Sequence, residues 1–309
     1  FSMKDVIDVV EEVFRQHGNG AVEMAHRAGI YPLPESFTQA LVAHVPAVSA
    51  AGAKIVSVFP PNRGTEVPVT TALLVLTGTD TGAPLAVMDA TWITEMRTGA
   101  VTAVAAMHLA SPDAREVAII GAGIQGRGNL TALATAFPDL EVVRVHDISP
   151  EAAGGFVDKM QKTVPVKLRG VRSAQEAVEG ADIVVTATAV FKERNALVKR
   201  DWVKPGALLT PLEVDTALDA SLVYEPDLLV VDDIEQTLAF QKMGCFAEGK
   251  PTIHGELGEI VAGKKRGRKD EAEIIVSMNV GLSIEDIAVG QYIYQRANEQ
   301  KVGQRLAVS

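Results

Sequence analysis

Cysteine is almost absent: Cys245 is the only one in 309 residues. One thiol excludes an intrachain disulfide and fits a reducing compartment, so a cytoplasmic location is expected. Positive charge is also in short supply, with 29 Lys and Arg against 39 Asp and Glu and a net charge of −10. That balance argues against binding nucleic acid or an anionic membrane surface, because phosphate recognition needs a positive field. No apolar run approaches the roughly 18 residues that span a bilayer. The longest, such as Val117–Ile120, are strand-sized. No secretory signal is expected either: the chain opens Phe1-Ser-Met-Lys-Asp5, without an initiator Met, and helical periodicity follows at once. His17, His26, His44, His108, His146 and His254 are scattered with no ligand spacing, so no metal is expected. There is no G-x-S-x-G nucleophile elbow, and Cys245 reads as a buried or incidental thiol. The basic run Lys264–Lys269 is followed by Asp270, Glu271 and Glu273 and reads as a solvated loop.

What is there is an ordinary globular composition, 47% apolar and 22% charged, long enough for about two domains. Val6, Ile7, Val9, Val10, Val13 and Phe14 recur at helical spacing and stop at Gly18-Asn19-Gly20. Ala53–Phe59, Val69–Leu76 and Pro84–Met88 read as strands, the last two joined as a hairpin by Thr79-Asp-Thr-Gly82. An alanine-rich helix spans about Thr91 to Leu109, and Ser111-Pro-Asp113 breaks the chain. Strands at Glu116–Ile120, Val142–His146, Val166–Gly170, Asp182–Thr186, Ala207–Pro211 and Leu228–Val231 then alternate with helices. That alternation predicts an α/β fold with a parallel sheet covered on both faces. A strand at Ile274–Met278 and a helix at Ser283–Glu299 close the chain and are expected to rejoin the first domain. The expected division is 1–112 with 274–309 as one discontinuous α+β domain, and 113–273 as a Rossmann-type domain.

The segment Glu116 to Asp147 carries the functional case. Val117-Ala-Ile-Ile120 runs straight into Gly121-Ala-Gly123-Ile124-Gln125-Gly126, where a helix opens. In such a turn the first glycine allows the bend, the second lets backbone approach a pyrophosphate, and the third lets helix pack on strand. The helix N-terminus then offers unpaired N–H groups to the phosphates. Asp147 ends the second strand at the spacing expected for an acid that accepts the adenosine ribose hydroxyls. It would repel a 2′-phosphate, and Ile148, Ser149 and Pro150 supply no arginine to welcome one. NAD(H) is therefore expected over NADP(H), in an oxidoreductase.

Three other residues are candidates for chemistry. Lys54 lies in an apolar strand and either snorkels at a sheet edge or reaches into a cleft. Arg97 sits on the alanine-rich helix, either in a surface pair with Glu95 or Asp89 or at a site. Asp215 follows the fifth parallel strand, where ligands of such sheets bind, yet loop aspartates are mostly solvated.

Five stretches stand out in order along the chain: Ala51-Gly-Ala-Lys54-Ile-Val-Ser-Val-Phe-Pro60, Gly82-Ala-Pro-Leu-Ala-Val-Met-Asp89-Ala-Thr91, Arg97-Thr-Gly-Ala100, Ile119–Gly126 and Val280-Gly-Leu-Ser-Ile-Glu-Asp286. Taken together they resemble the ornithine cyclodeaminase/μ-crystallin family. The resemblance implies a homodimer of subunits with an NAD(P) domain and a discontinuous substrate-binding and dimerisation domain. It implies that Lys54 and Arg97 bind a substrate carboxylate. Asp215, nine residues after Gly206, would act in acid/base chemistry. Arg27 corresponds to a further carboxylate-binding arginine. The implied activity is reduction of an imino acid or ketimine, or oxidation of an amino acid, at the carbon alpha to the carboxylate. Two alternatives accompany it: an NAD-dependent cyclodeaminase, and a non-catalytic μ-crystallin-like NAD(P)-binding protein. Ala43-His-Val-Pro46 stands where ornithine cyclodeaminase has an acidic residue before Leu-Met-Pro, and the loop after Asp215 is shortened to Thr216–Asp219. Both departures speak against a cationic substrate tail. The family's opening strand has no counterpart before Phe1.

Overall fold

Helix α1 (Met3–Gly18) forms where the apolar spacing calls for it, with Met3, Val6, Ile7, Val10, Val13 and Phe14 in one buried stripe. Ser2 and Asp5 close a capping box at its start. The computed structural model describes residues 1–188 and 195–306. The chain divides into two compact units, Phe1–Arg97 with Leu282–Ser309, and Thr98–Gly281.

The first unit is built on an antiparallel sheet of β1 (Glu23–Met24), β2 (Ala28–Ile30), β3 (Phe37–Val45), β4 (Ala50–Val58), β5 (Thr70–Gly78) and β6 (Pro84–Asp89). The order is β1-β3-β4-β5-β6, with β2 also pairing β3. Leu41, Lys54 and Leu74 share one cross-strand row and therefore one face, as do Ala43, Gly52 and Leu76 in the next inward row. Helix α9 (Ser283–Gln300) lies on that face: a Cβ on Gly290 would come within 2.1 Å of Leu74 Cδ2, and one on Gly52 within 3.1 Å of Ile287 Cδ1. On the opposite face Ile55, Leu73 and Val87 are 46%, 45% and 61% exposed. Strands β1 to β3 have no counterpart in the sequence reading. The two shortest carry two and three residues, and only Leu41–Val45 in β3 alternates buried and exposed.

The second unit is an eight-stranded parallel sheet. In chain order its elements are β7 (Glu116–Ile120), α3 (Ile124–Ala136), β8 (Val142–His146), α4 (Pro150–Met160), β9 (Lys167–Gly170), α5 (Ala174–Val178) and β10 (Ile183–Thr186). There follow β11 (Leu208–Pro211), α6 (Ala220–Tyr224), β12 (Leu228–Val231), α7 (Ile234–Lys242), β13 (Gly255–Glu256), α8 (Leu257–Val261) and β14 (Ile275–Met278). The order β13-β12-β14-β11-β10-β7-β8-β9 has the doubly wound form, with connections running outward to either side of β7 and β10.

Two boundaries correct the expected division. The units part at 97/98 and 281/282, not at 112/113 and 273/274. Every residue of β14 is buried, and the strand is inserted between β11 and β12, so it belongs to the parallel sheet and only α9 returns to the first unit. Helix α2 (Thr91–Leu109) crosses the other boundary unbroken. Near its middle it meets α3 at backbone distance: a Cβ on Gly99 would come within 2.3 Å of Gly128 O. Ser111-Pro-Asp113 ends this helix without dividing the units. The basic run at 264–269 is more than a solvated loop. Arg268 Nε donates to Leu109 O at 2.9 Å, and a Cβ on Gly267 would come within 2.5 Å of His108 O, so the run holds the carbonyl end of α2. No described helix is long and apolar enough to cross a membrane.

Candidate functional site

In the first unit the strand period turns Lys54 inward, beneath α9. Its side chain is fully buried, with Nζ donating to Asp286 Oδ1 at 2.7 Å and to Thr94 Oγ1 at 3.3 Å. Neither snorkelling nor a sheet edge describes it. Arg97 lies three residues after Thr94 on α2, hence on the same helix face. It is 6% exposed, donates from Nη1 to Glu285 Oε2 at 2.9 Å, and has Nε 3.2 Å from Asp286 Oδ1. The alternative of a surface pair is thereby removed. Asp89 instead caps α2, accepting from the Thr91 N–H at 2.8 Å.

Two cations thus meet two fully buried carboxylates, Glu285 and Asp286, that sequence reading quoted only as part of a motif. They occupy the first turn of α9, where the helix dipole favours negative charge. Glu285 Oε1 also accepts from the Leu282 N–H, tying the helix start to the cluster. The signal that could have found them is an acidic pair at a helix N-terminus inside an otherwise apolar stretch. Burial pulls the Lys54 ammonium down to about 8, against the upward effect of Asp286. An ammonium has three protons, and among the described residues two of those on Lys54 have acceptors. Arg27 lies between β1 and β2, half-buried. It precedes Ala28, which pairs with Ala40 beside Leu41, and Leu41 pairs with Lys54. Arg27 is therefore two strands from Lys54, about 10 Å by strand spacing.

In the second unit the glycine loop has the geometry its pattern implies. Gly121 has φ +111°, and a Cβ there would lie 2.4 Å from Ala187 O. A Cβ on Gly126 would lie 2.3 Å from Gly121 O, so this glycine is needed for helix–loop packing. Around Gly123 the opposite holds: a Cβ would meet nothing within 4 Å. Gly123 is the N-cap of α3 and supplies no side-chain cap, so the first-turn amides of Ile124, Gln125 and Gly126 are not capped by it and suit an outside acceptor. Asp147 follows β8 and grips the loop, accepting from Ala122 N–H at 2.8 Å and Ser149 N–H at 2.9 Å. Each carboxylate oxygen retains a second lone pair for a ribose hydroxyl. Open space over Gly123, uncapped helix amides and an acidic strand end fit a dinucleotide's pyrophosphate and ribose.

Asp215 is buried at 4% exposure rather than solvated. Its Oδ2 accepts from the Phe246 N–H at 2.9 Å. Cys245 lies beside it, and burial together with the Asp215 charge pushes that thiol up. Glu213, absent from the sequence reading, is buried two residues earlier and accepts from Thr186 and Thr188. Burial raises its carboxyl above the usual range despite those donors. Among the described residues no group of three or more His, Cys, Asp or Glu is placed to hold a metal.

Residues 1–301 match the profile of the ornithine cyclodeaminase/mu-crystallin family. Delta(1)-pyrroline-2-carboxylate reductase of Thermococcus litoralis, solved with NADH and L-proline, is 35% identical. The match covers 99% of this chain and 96% of that one, with a TM-score of 0.89. An archaeal alanine dehydrogenase dimer with bound NAD is 31% identical over 100% of this chain and 96% of its own, again with a TM-score of 0.89. The alanine dehydrogenase of Archaeoglobus fulgidus is 32% identical over 99% of this chain and 94% of its own length.

Proposed function

The chain belongs to the ornithine cyclodeaminase/mu-crystallin family, and from that premise we propose that it is an NAD(H)-dependent oxidoreductase acting at the carbon alpha to a carboxylate. Its reaction is reduction of an imino acid or ketimine, or the reverse oxidation of an amino acid. The observation that carries this reading is the buried Lys54–Arg97 pair, oriented by Asp286 and Glu285, with one Lys54 proton still to place. A buried cation with an open donor is suited to a small anion, and charge-assisted bonds fix orientation as well as affinity.

Within this scheme Lys54 and Arg97 hold the carboxylate, with Arg27 as a further contact. Ile124, Gln125 and Gly126 hold the pyrophosphate with their amides, and Gly121 and Gly123 leave it room. Bound NADH supplies the hydride that the alpha carbon accepts as the C=N bond becomes C–N. Asp215 delivers the proton that the nitrogen takes up, and removes it in the oxidative direction. The relatives named above, a pyrroline-2-carboxylate reductase and alanine dehydrogenases, support the reaction class.

The finer cofactor reading is a preference for NAD(H), supported by Asp147 and by the absence of an arginine in Ile148-Ser-Pro150. It predicts a higher kcat/KM with NADH than with NADPH, narrowed in Asp147→Asn. We further propose a homodimer that covers the exposed apolar sheet face around Ile55, Leu73 and Val87. Sedimentation of Leu73→Glu should then show monomer where the wild type shows dimer.

The activity test is NADH oxidation against a panel of 2-oxo acids with ammonia or methylamine, together with cyclic imines that carry a carboxylate. Turnover with at least one is expected, and none with analogues lacking the carboxylate. Release of ammonia from a diamino acid with no net NADH change would replace the reductase by a cyclodeaminase.

A further inference from the structure

Glu213 is a buried acid with no part in the scheme above, and its surroundings give it one. The crevice of a doubly wound sheet opens at the carboxyl ends of the two strands where the winding reverses, here β7 and β10. One wall begins with Gly121 at the end of β7. The other is Thr186-Ala187-Thr188 at the end of β10. The two walls touch through backbone, because a Cβ on Gly121 would lie 2.4 Å from Ala187 O and 3.1 Å from Thr188 N. The position of the β10 wall therefore decides how far the glycine loop can open.

Glu213 reaches this wall from the loop after β11. Its Oε2 accepts from Thr186 Oγ1 at 2.6 Å, and its Oε1 accepts from Thr188 Oγ1 at 2.7 Å and from the Thr188 N–H. It is 1% exposed. A carboxylate taken that far out of water is costly, and three donors from one three-residue segment offset the cost only if that segment stays in place. The turn that delivers Glu213 is itself strained: Val214, a β-branched residue, has φ +64°. Strain of that kind persists where the surrounding contacts over-determine it.

We propose that Glu213 is a positioning residue for the dinucleotide, fixing the β10 wall against Gly121 so that the glycine loop is held open to the cofactor. The inference rests on the NAD(H) reading above. It separates from a purely structural role for Glu213, which predicts lower stability without a selective loss of cofactor affinity.

The test is an NADH titration, followed by energy transfer from protein tryptophan, on wild type, Glu213→Ala, Glu213→Gln and Thr188→Val, with Tm measured in parallel. Glu213→Ala should raise the NADH Kd about tenfold, because two hydroxyls and an amide lose their acceptor. KM for the imino acid at saturating NADH should stay within about twofold, since Lys54 and Arg97 are untouched. Glu213→Gln keeps an acceptor oxygen for Thr188 and should restore most of the affinity. Thr188→Val removes one donor from the other side of the contact and should weaken NADH in the same direction. It decides the matter if Glu213→Ala does not fold. A folded Glu213→Ala, or in its absence Thr188→Val, that binds NADH as wild type does would overturn the proposal, whatever its Tm. Wild type that binds no NADH would remove the cofactor reading, and this inference with it.

Discussion

The glycine loop of the second unit and the charge cluster of the first are opposite kinds of site. The loop is assembled from neighbours in sequence, works through backbone groups, and at Gly123 is bordered by open space. The cluster brings together side chains 40, 188 and 232 positions apart, from β4, α2 and α9, and is closed over by protein. A ligand of the proposed loop site would meet a helix start that its N-cap residue leaves without a side-chain cap. A ligand of the proposed cluster site would meet cations already paired with carboxylates, so that their orientation is set before it arrives. Substitutions should therefore separate stability from binding in one site and join them in the other.

The largest effect is expected where the cluster is broken. Asp286→Ala removes the carboxylate that both Lys54 and Arg97 meet in a buried cluster, and urea unfolding should show a loss of about 3–5 kcal/mol. The loop responds in the other sense. Gly123→Val adds atoms only to open space, so the urea midpoint should hold, while the NADH Kd should rise about tenfold or more as the side chain occupies the pyrophosphate's place. A fall in stability equal to that of Asp286→Ala would erase the contrast.

The smallest effect is a pH dependence confined to the cluster. Lys54 titrates near 8 in the folded chain, below its ordinary 10.5. Above that pH the free enzyme loses the ammonium proposed to receive the carboxylate, so kcat/KM for the imino acid should fall as pH rises past about 8. The NADH Kd should not follow it. For stability the sign is reversed. Between about 8 and 10.5 the unfolded chain keeps a proton that the folded one has released, so this group's contribution to folding becomes more favourable as pH rises through that window. Lys54→Gln should abolish both trends.

The same contrast explains what could be read from the sequence. The parallel sheet and glycine loop were legible because strand, glycines and helix follow one another, and each glycine's role depends on atoms a few residues away. Helix α2 was legible to its ends. The pairing of Lys54 with Asp286 was not, because no local pattern states which of several acids a buried lysine will meet after 232 residues. β14 misled for a related reason: its run of four buried residues marks a doubly covered strand, but not which sheet receives it. Glu213 escaped because its meaning lies in donors on another strand, and an acid in a loop reads as solvated until those donors are seen.

The division of labour between the two sites is tested most directly in one variant. Lys54→Gln retains a hydrogen-bond donor for Asp286 and removes the charge. Its NADH Kd should remain within about twofold of wild type while kcat/KM for the imino or amino acid falls at least about 100-fold. Parallel loss of NADH affinity, or turnover that survives without the charge, would contradict the account.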